Sequence, residues 1–188
     1  MIPKDTAKES KSTSFLCEII FIQLKKATFL YHAEISTLNV SRLPSFLISS
    51  CVDCYLKSND QTQTRIRKRN EIGSTSHHFT MTTRRDIDGQ RVEIRRNVSP
   101  REYESYRSQT DPDRAAVEKI RRCFLYNERY FQLDVYQSPQ KGLVLLEGYI
   151  DYEKKGSSSD ISHFIPDFLD CLDVTDNPEY SMYTISAF

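Results

Sequence analysis

The stretch T-Q-T-R-I-R-K-R, residues 62–69, decides how the chain is read. Side chains on a strand alternate between its two faces, so Arg65, Arg67 and Arg69 share one face while Ile66 and Lys68 share the other. The same alternation recurs in R-V-E-I-R-R (91–96), where Arg91, Glu93 and Arg95 stand opposite Val92 and Ile94. It recurs again in K-I-R-R (119–122), where Lys119 and Arg121 share a face. Around these runs lie short strand-like segments at 51–57, 62–69, 77–85, 90–97, 119–126, 129–137 and 143–152. Turn signals separate them: Ser58-Asn59-Asp60, Asn70 to Gly73, Asp86 to Gly89, Asn127-Glu128, and Ser138-Pro139 through Gly142. The pattern predicts an α+β chain built on a meandering antiparallel β-barrel with flanking helices.

Two helices are expected. Ser99-Pro100-Arg101-Glu102 supplies an N-cap, a proline at the first helical position and a capping-box glutamate, predicting a helix from Pro100 to about Gln109. Phe164, Ile165, Phe168, Leu169 and Leu172 recur at helical spacing and predict an amphipathic helix packed on the barrel or plugging one end. Residues 1–13 are polar and aperiodic, as in a disordered terminus. The division expected is a poorly readable leader over 1–51 and a barrel domain over 52–188.

With 26 basic and 26 acidic residues in 188, the formal net charge is zero, so bulk attraction to nucleic acid or an anionic membrane is not implied. Any anion site must be local. Most arginines fall between 65 and 122, whereas 144–179 is rich in Asp and Glu. Five cysteines without regular spacing argue against a disulfide framework and for a reducing, cytoplasmic setting. Cys51 and Cys54 form a single C-x-x-C and read as two thiols on a strand. Adjacent His77 and His78 face opposite sides and do not share a metal. The apolar run Phe15–Ile22 is too short for a bilayer and is interrupted by Glu18.

Guanidiniums match phosphate oxygens in pairs, so arginines from neighbouring strands pointing inward would surround a polyphosphate. Alternation alone leaves a second arrangement open, in which the same arginines form the solvated outer face of a sheet. Glu147 in G-L-V-L-L-E-G-Y and Asp134 in F-Q-L-D-V-Y lie in apolar strands, where they could face the arginines. Such acids could balance charge or offer oxygen ligands to Mg²⁺ or Mn²⁺.

Several segments together resemble the triphosphate tunnel, or CYTH, superfamily, and within it the C-terminal domain of the TRPL translocation defect protein family. They are T-Q-T-R-I-R-K-R (62–69), G-Q-R-V-E-I-R (89–95), S-P-R-E-Y (99–103), R-R-C-F-L-Y-N-E-R-Y-F-Q-L-D-V-Y (121–136), L-L-E-G-Y (145–149) and V-T-D-N-P-E-Y-S-M-Y-T-I-S (174–186). The resemblance implies a tunnel-like barrel with a basic inner wall, used for triphosphates and other phosphorylated ligands with a divalent metal. It implies phosphate contacts at Arg65, Arg67, Arg69, Arg91, Arg95, Lys119 and Arg121, and metal-binding or charge-balancing acids at Glu93 and Glu147, with Asp134 a further candidate. For the narrower family it implies phosphoinositide and nucleotide binding in ion-channel trafficking, peripheral to endosomal membranes. The alternative is a metal-dependent triphosphatase. Enzymatic tunnel proteins share an E-x-E-x-K first strand, against which S-S-C-V-D-C-Y-L (49–56) offers only Asp53. The P-loop G-x-x-x-x-G-K-[ST] of full-length relatives is also absent from this sequence.

Overall fold

The computed structural model describes residues 24–31, 47–58, 62–88, 90–151, 165–167 and 169–188. Their strands are β1 (Leu24–Tyr31), β2 (Leu47–Tyr55), β3 (Gln63–Glu71), β4 (His77–Ile87), β5 (Gln90–Asn97), β6 (Val117–Tyr126), β7 (Arg129–Ser138), β8 (Val144–Asp151) and β9 (Cys171–Asp173). They form one sheet in the order β5-β4-β3-β2-β6-β7-β8-β1-β9, curled into a half-barrel. Every pairing is antiparallel. The seven strands expected from the sequence are present, and β1 and β9 add to them. β1 lies within the stretch read as a leader, yet it pairs with β8 on one side and β9 on the other.

Local chemistry sets the connections. Asn127 and Glu128 join β6 to β7 with φ of 47° and 61°, and two successive positive φ values give the turn whose twist matches a two-residue hairpin. After β3 the chain turns at Gly73, whose φ of 90° suits a residue without Cβ. The predicted helix forms as α1 (Pro100–Arg107), with the Ser99 side chain accepting from the Glu102 amide and the Glu102 carboxylate accepting from the Ser99 amide. Its buried Tyr103 packs with Ile66 and Val98 on the convex face of β3 and β4.

The second predicted helix does not form. Among the described residues of that stretch, Ile165–Asp167 form a bend and turn, and Cys171–Asp173 is strand β9. Phe164 and Phe168 lie outside the described residues. Two forces explain the difference: Pro166 cannot donate to a helical ladder, and pairing with β1 satisfies the backbone of 171–173 instead. Leu172, expected on a buried stripe, is 51% exposed. The end of the half-barrel is plugged by a different segment, a 3-10 turn at Pro178–Tyr180 followed by α2 (Met182–Ile185). Ile185 is buried there with Val117, Tyr136 and Leu145.

On the convex side Phe124 and Phe131 stack with centroids 5.5 Å apart, and Gly148 on β8 lies directly opposite Phe131. A Cβ at Gly148 would approach Phe131 Cε1 to 2.9 Å. Gly148→Ala is therefore expected to lower stability by about 1–3 kcal/mol, because the ring cannot yield without breaking its stack. A urea unfolding midpoint equal to that of the parent chain would refute this.

Candidate anion site

Strand register brings the arginines to the concave face. Arg67 lies directly across from Asp53 on β2 and from Thr80 on β4. Cys51 lies between Arg69 on β3 and Lys119 on β6, and Arg121 is opposite Asp134 on β7. The two thiols of the C-x-x-C consequently fall on opposite faces: Cys51 is inside and Cys54 packs under the convex cluster.

Two fully buried carboxylates anchor this face. Asp53 receives Arg67 through Nε at 2.7 Å and Nη2 at 3.1 Å, with Arg65 Nε at 3.3 Å. Asp134 receives Arg121 through Nε and Nη2, both at 2.6 Å, and Lys119 Nζ at 2.7 Å. Glu147 extends the second cluster, with Arg121 Nη2 3.4 Å away. Glu93 belongs to neither, since it pairs with Arg84 on β4 at 2.5 Å. Burying charge costs several kcal/mol per ion unless it is paired and hydrogen-bonded, and these forked contacts meet that demand.

The pairing sets the ionisation. Burial pushes the Asp53 carboxyl up, but Arg67, Arg65 and Lys119 outweigh it and hold the group below its ordinary value of 3.8. Asp134 is held down likewise, burial being overcome by Lys119 and Arg121. Conversely, Asp53 holds Arg67 above the ordinary guanidinium value and Asp134 does the same for Arg121, in each case against burial. Depressed carboxylates contribute stability that is fully present above their unfolded values and is lost as pH falls through their folded ones. Urea midpoints are therefore expected to fall steadily from about pH 5 downward. A midpoint independent of pH over the acid range would contradict the pairing.

Not all the charge is balanced. Arg69 donates from Nε to Ser49 Oγ at 3.0 Å and approaches Cys123 Sγ at 3.8 Å, and it pairs with no carboxylate among the described residues. Arg95 makes no ion pair there either. Arg95 is exposed on the edge strand, yet partial desolvation, then Arg67 and Arg65, push its guanidinium down, with Glu93 opposing and Arg69 adding repulsion. Arg65 Nε, though 3.3 Å from Asp53 Oδ1, is not aligned to hydrogen-bond it. Arg65 also lines a small, open cleft with Tyr55, Gln63, Thr82 and Arg84. Among the described residues the concave face thus carries more cations than carboxylates, and its two buried carboxylates hold part of that charge in place.

The sequence-predicted residues divide as follows. Arg65, Arg67, Arg69, Arg95, Lys119 and Arg121 converge on the concave face. Arg91 continues their alternation on β5 opposite Asp86, and its side chain lies outside the described residues. Asp134 and Glu147 are brought together through Arg121, whereas Glu93 stands apart on β5. No group of three or more Asp, Glu, His or Cys able to hold a metal occurs among the described residues. Among the described residues the first strand is β1, L-K-K-A-T-F-L-Y, rather than the 49–56 stretch, and it carries no acid; Thr28 stands opposite Glu147. Asp53 and Asp134, the buried acids on this face, are each taken up by paired cations.

Sequence reasoning passed over Arg84, although T-M-T-T-R-R alternates like its neighbours, and it treated Asp53 only as a leftover acid. It also missed Met182, whose Sδ lies 3.6 Å from Lys119 Nζ and 3.8 Å from Arg65 Nη1. No local signal placed that residue, because the contact spans the chain from β3 and β6 to its C-terminal helix. Among the described residues no helix is long and apolar enough to cross a membrane.

The chain matches no protein-family model and no curated protein. Solved structures do resemble it. The inorganic triphosphatase NE1496 superimposes with a TM-score of 0.53 at 20% identity, covering 87% of this chain and 93% of that one. A second structure of NE1496 gives the same score and covers 97% of its chain. PH1819 from Pyrococcus horikoshii OT3 gives 0.50 at 17% identity, over 69% of this chain and 80% of that one. Taken with the curled antiparallel sheet and its few helices, this likeness identifies the fold as that of the CYTH, or triphosphate tunnel, proteins.

Proposed function

We propose that the chain binds the triphosphate unit of inorganic triphosphate or a nucleotide on its concave face, with hydrolysis of that unit as the associated reaction. The observation that carries this is the uncompensated charge at Arg69 and Arg95 beside the paired Arg65, Arg67, Lys119 and Arg121. Phosphate oxygens would take the donors that no carboxylate fills, and the bidentate fork of arginine suits them. Asp53 and Asp134 hold their cations in place, so little side-chain entropy remains to be lost on binding. In a hydrolytic cycle the same guanidiniums would stabilise charge developing on the transferred phosphoryl group. The solved structure described as an inorganic triphosphatase supports a triphosphate over other phosphorylated ligands.

The phosphoinositide reading, with its role in channel trafficking, is a narrower form of the same chemistry, since a headgroup also presents clustered phosphates. Calorimetric titration with tripolyphosphate, ATP and a soluble inositol polyphosphate, each with and without Mg²⁺, separates the two. Tripolyphosphate or ATP is expected to bind, and phosphate release in the same samples reports turnover. Arg69→Ala and Arg95→Ala should each weaken binding about tenfold or more while leaving the fold intact, because neither side chain pairs with a described carboxylate. Unchanged affinity in both variants would overturn the proposal. Binding of the inositol ligand alone would transfer the site to the phosphoinositide reading.

A further inference from the structure

Among the described residues, β5 is an edge strand of the sheet. Val92 and Ile94 point outward from it at 38% and 63% exposure, and Ile87, at 50%, precedes the strand. A free edge presents unpaired backbone donors and acceptors to any extended chain, and proteins commonly restrict it with charge. On β5 the charges do more than repel, because they alternate in sign as Glu93-Ile94-Arg95.

Two copies joined antiparallel through β5 are related by a two-fold axis that passes through one residue, and the choice of that residue fixes every pair. An axis at Glu93 would set Glu93 against itself and Arg91 against Arg95. An axis at Arg95 would oppose two arginines. Centred on Val92, the strands would overlap only from Gln90 to Ile94. With the axis at Ile94, Glu93 of each copy faces Arg95 of the other, Ile94 faces Ile94, Val92 faces Arg96, and Arg91 faces Asn97. No like charges meet in that register, and the overlap runs from Arg91 to Asn97.

We propose that the chain self-associates edge to edge through β5 in this Ile94-centred register, extending the sheet across two copies. The occupant is a second copy because the strand complements itself and because Arg95, which forms no ion pair among the described residues, would face a carboxylate directly across the strand pair. Glu93, already on Arg84 through Oε2, has a second oxygen for this contact. Ile94 would leave water against its own counterpart. Because Arg95 also lies on the concave face, an anion bound there would compete with this contact, so the association is measured without added phosphate.

Sedimentation equilibrium on the full chain tests it. A monomer–dimer equilibrium is expected, and Glu93→Arg or Arg95→Glu alone should weaken it about tenfold or more by placing like charges opposite each other. An equimolar mixture of the two variants should recover the dimer, since each then supplies the sign the other lacks. A variant that failed to fold could not restore it. The proposal is overturned if the parent chain stays monomeric up to about 100 μM, where even micromolar affinity saturates. It is equally overturned if both variants dimerise like the parent, or if the mixture does not recover association.

Discussion

Asp134→Ala is expected to destabilise the fold by about 3–5 kcal/mol. Asp134 is fully buried on β7 and takes three close contacts, two from the Arg121 guanidinium and one from Lys119 Nζ. Both cations are themselves almost wholly enclosed. Alanine would leave two buried charges facing each other, offset by Glu147, 3.4 Å from Arg121, and by Asp53, which already serves Arg67 and Arg65. The loss is therefore mainly the desolvation cost of the stranded cations. Urea unfolding reads the effect, and a second substitution separates its causes: adding Lys119→Met should recover part of the stability by removing one stranded charge. A shift below about 0.5 kcal/mol, the scale of an ordinary surface substitution, would show that the triad is not the anchor described.

Ile185→Ala follows, with an expected loss of about 2–5 kcal/mol. The α2 helix is a single short turn and has almost no stability of its own. It is held by Ile185 against Val117, Tyr136 and Leu145. A second hold comes from Arg114, whose guanidinium lies 3.3 Å from the Tyr183 ring centroid and donates to the Tyr183 carbonyl and to Ser186 Oγ. Removing the Ile185 side chain leaves a cavity that the rigid strand residues around it cannot close. Phe188→Ala, at a position 88% exposed, is the matched control and should change little. Equal midpoints for the two variants would mean that the C-terminal segment does not plug the half-barrel.

The residues that were easiest to read are those governed by alternation or by a cap. R-I-R-K-R, V-E-I-R and K-I-R each place cations on one strand face, and the structure keeps those faces together. The capping box at Ser99 and Glu102 fixes where α1 starts, and Tyr103 packing on β3 and β4 holds the helix there. Periodicity failed where a local pattern competed with a distant partner. Apolar spacing over 164–172 fits a helix, but Pro166 and pairing with β1 turn its last residues into a strand. β1 itself was illegible because L-K-K-A-T-F-L-Y has no strict alternation and no turn beside it; its identity comes from β8, more than a hundred residues away.

By itself the sequence determined that arginines from several strands share faces, that α1 starts at Ser99, and that no P-loop is present, since these depend on neighbours within a few residues. Only the tertiary structure decided which face is concave and which acids meet which cations. It drew Asp53 to Arg67 and Asp134 to Arg121, set Glu93 on Arg84, and left Arg69 and Arg95 without a paired carboxylate among the described residues. The physical reason is register: a carboxylate finds its cation across a strand pair, and strand pairing is fixed by the curvature and closure of the whole sheet, which no local stretch encodes.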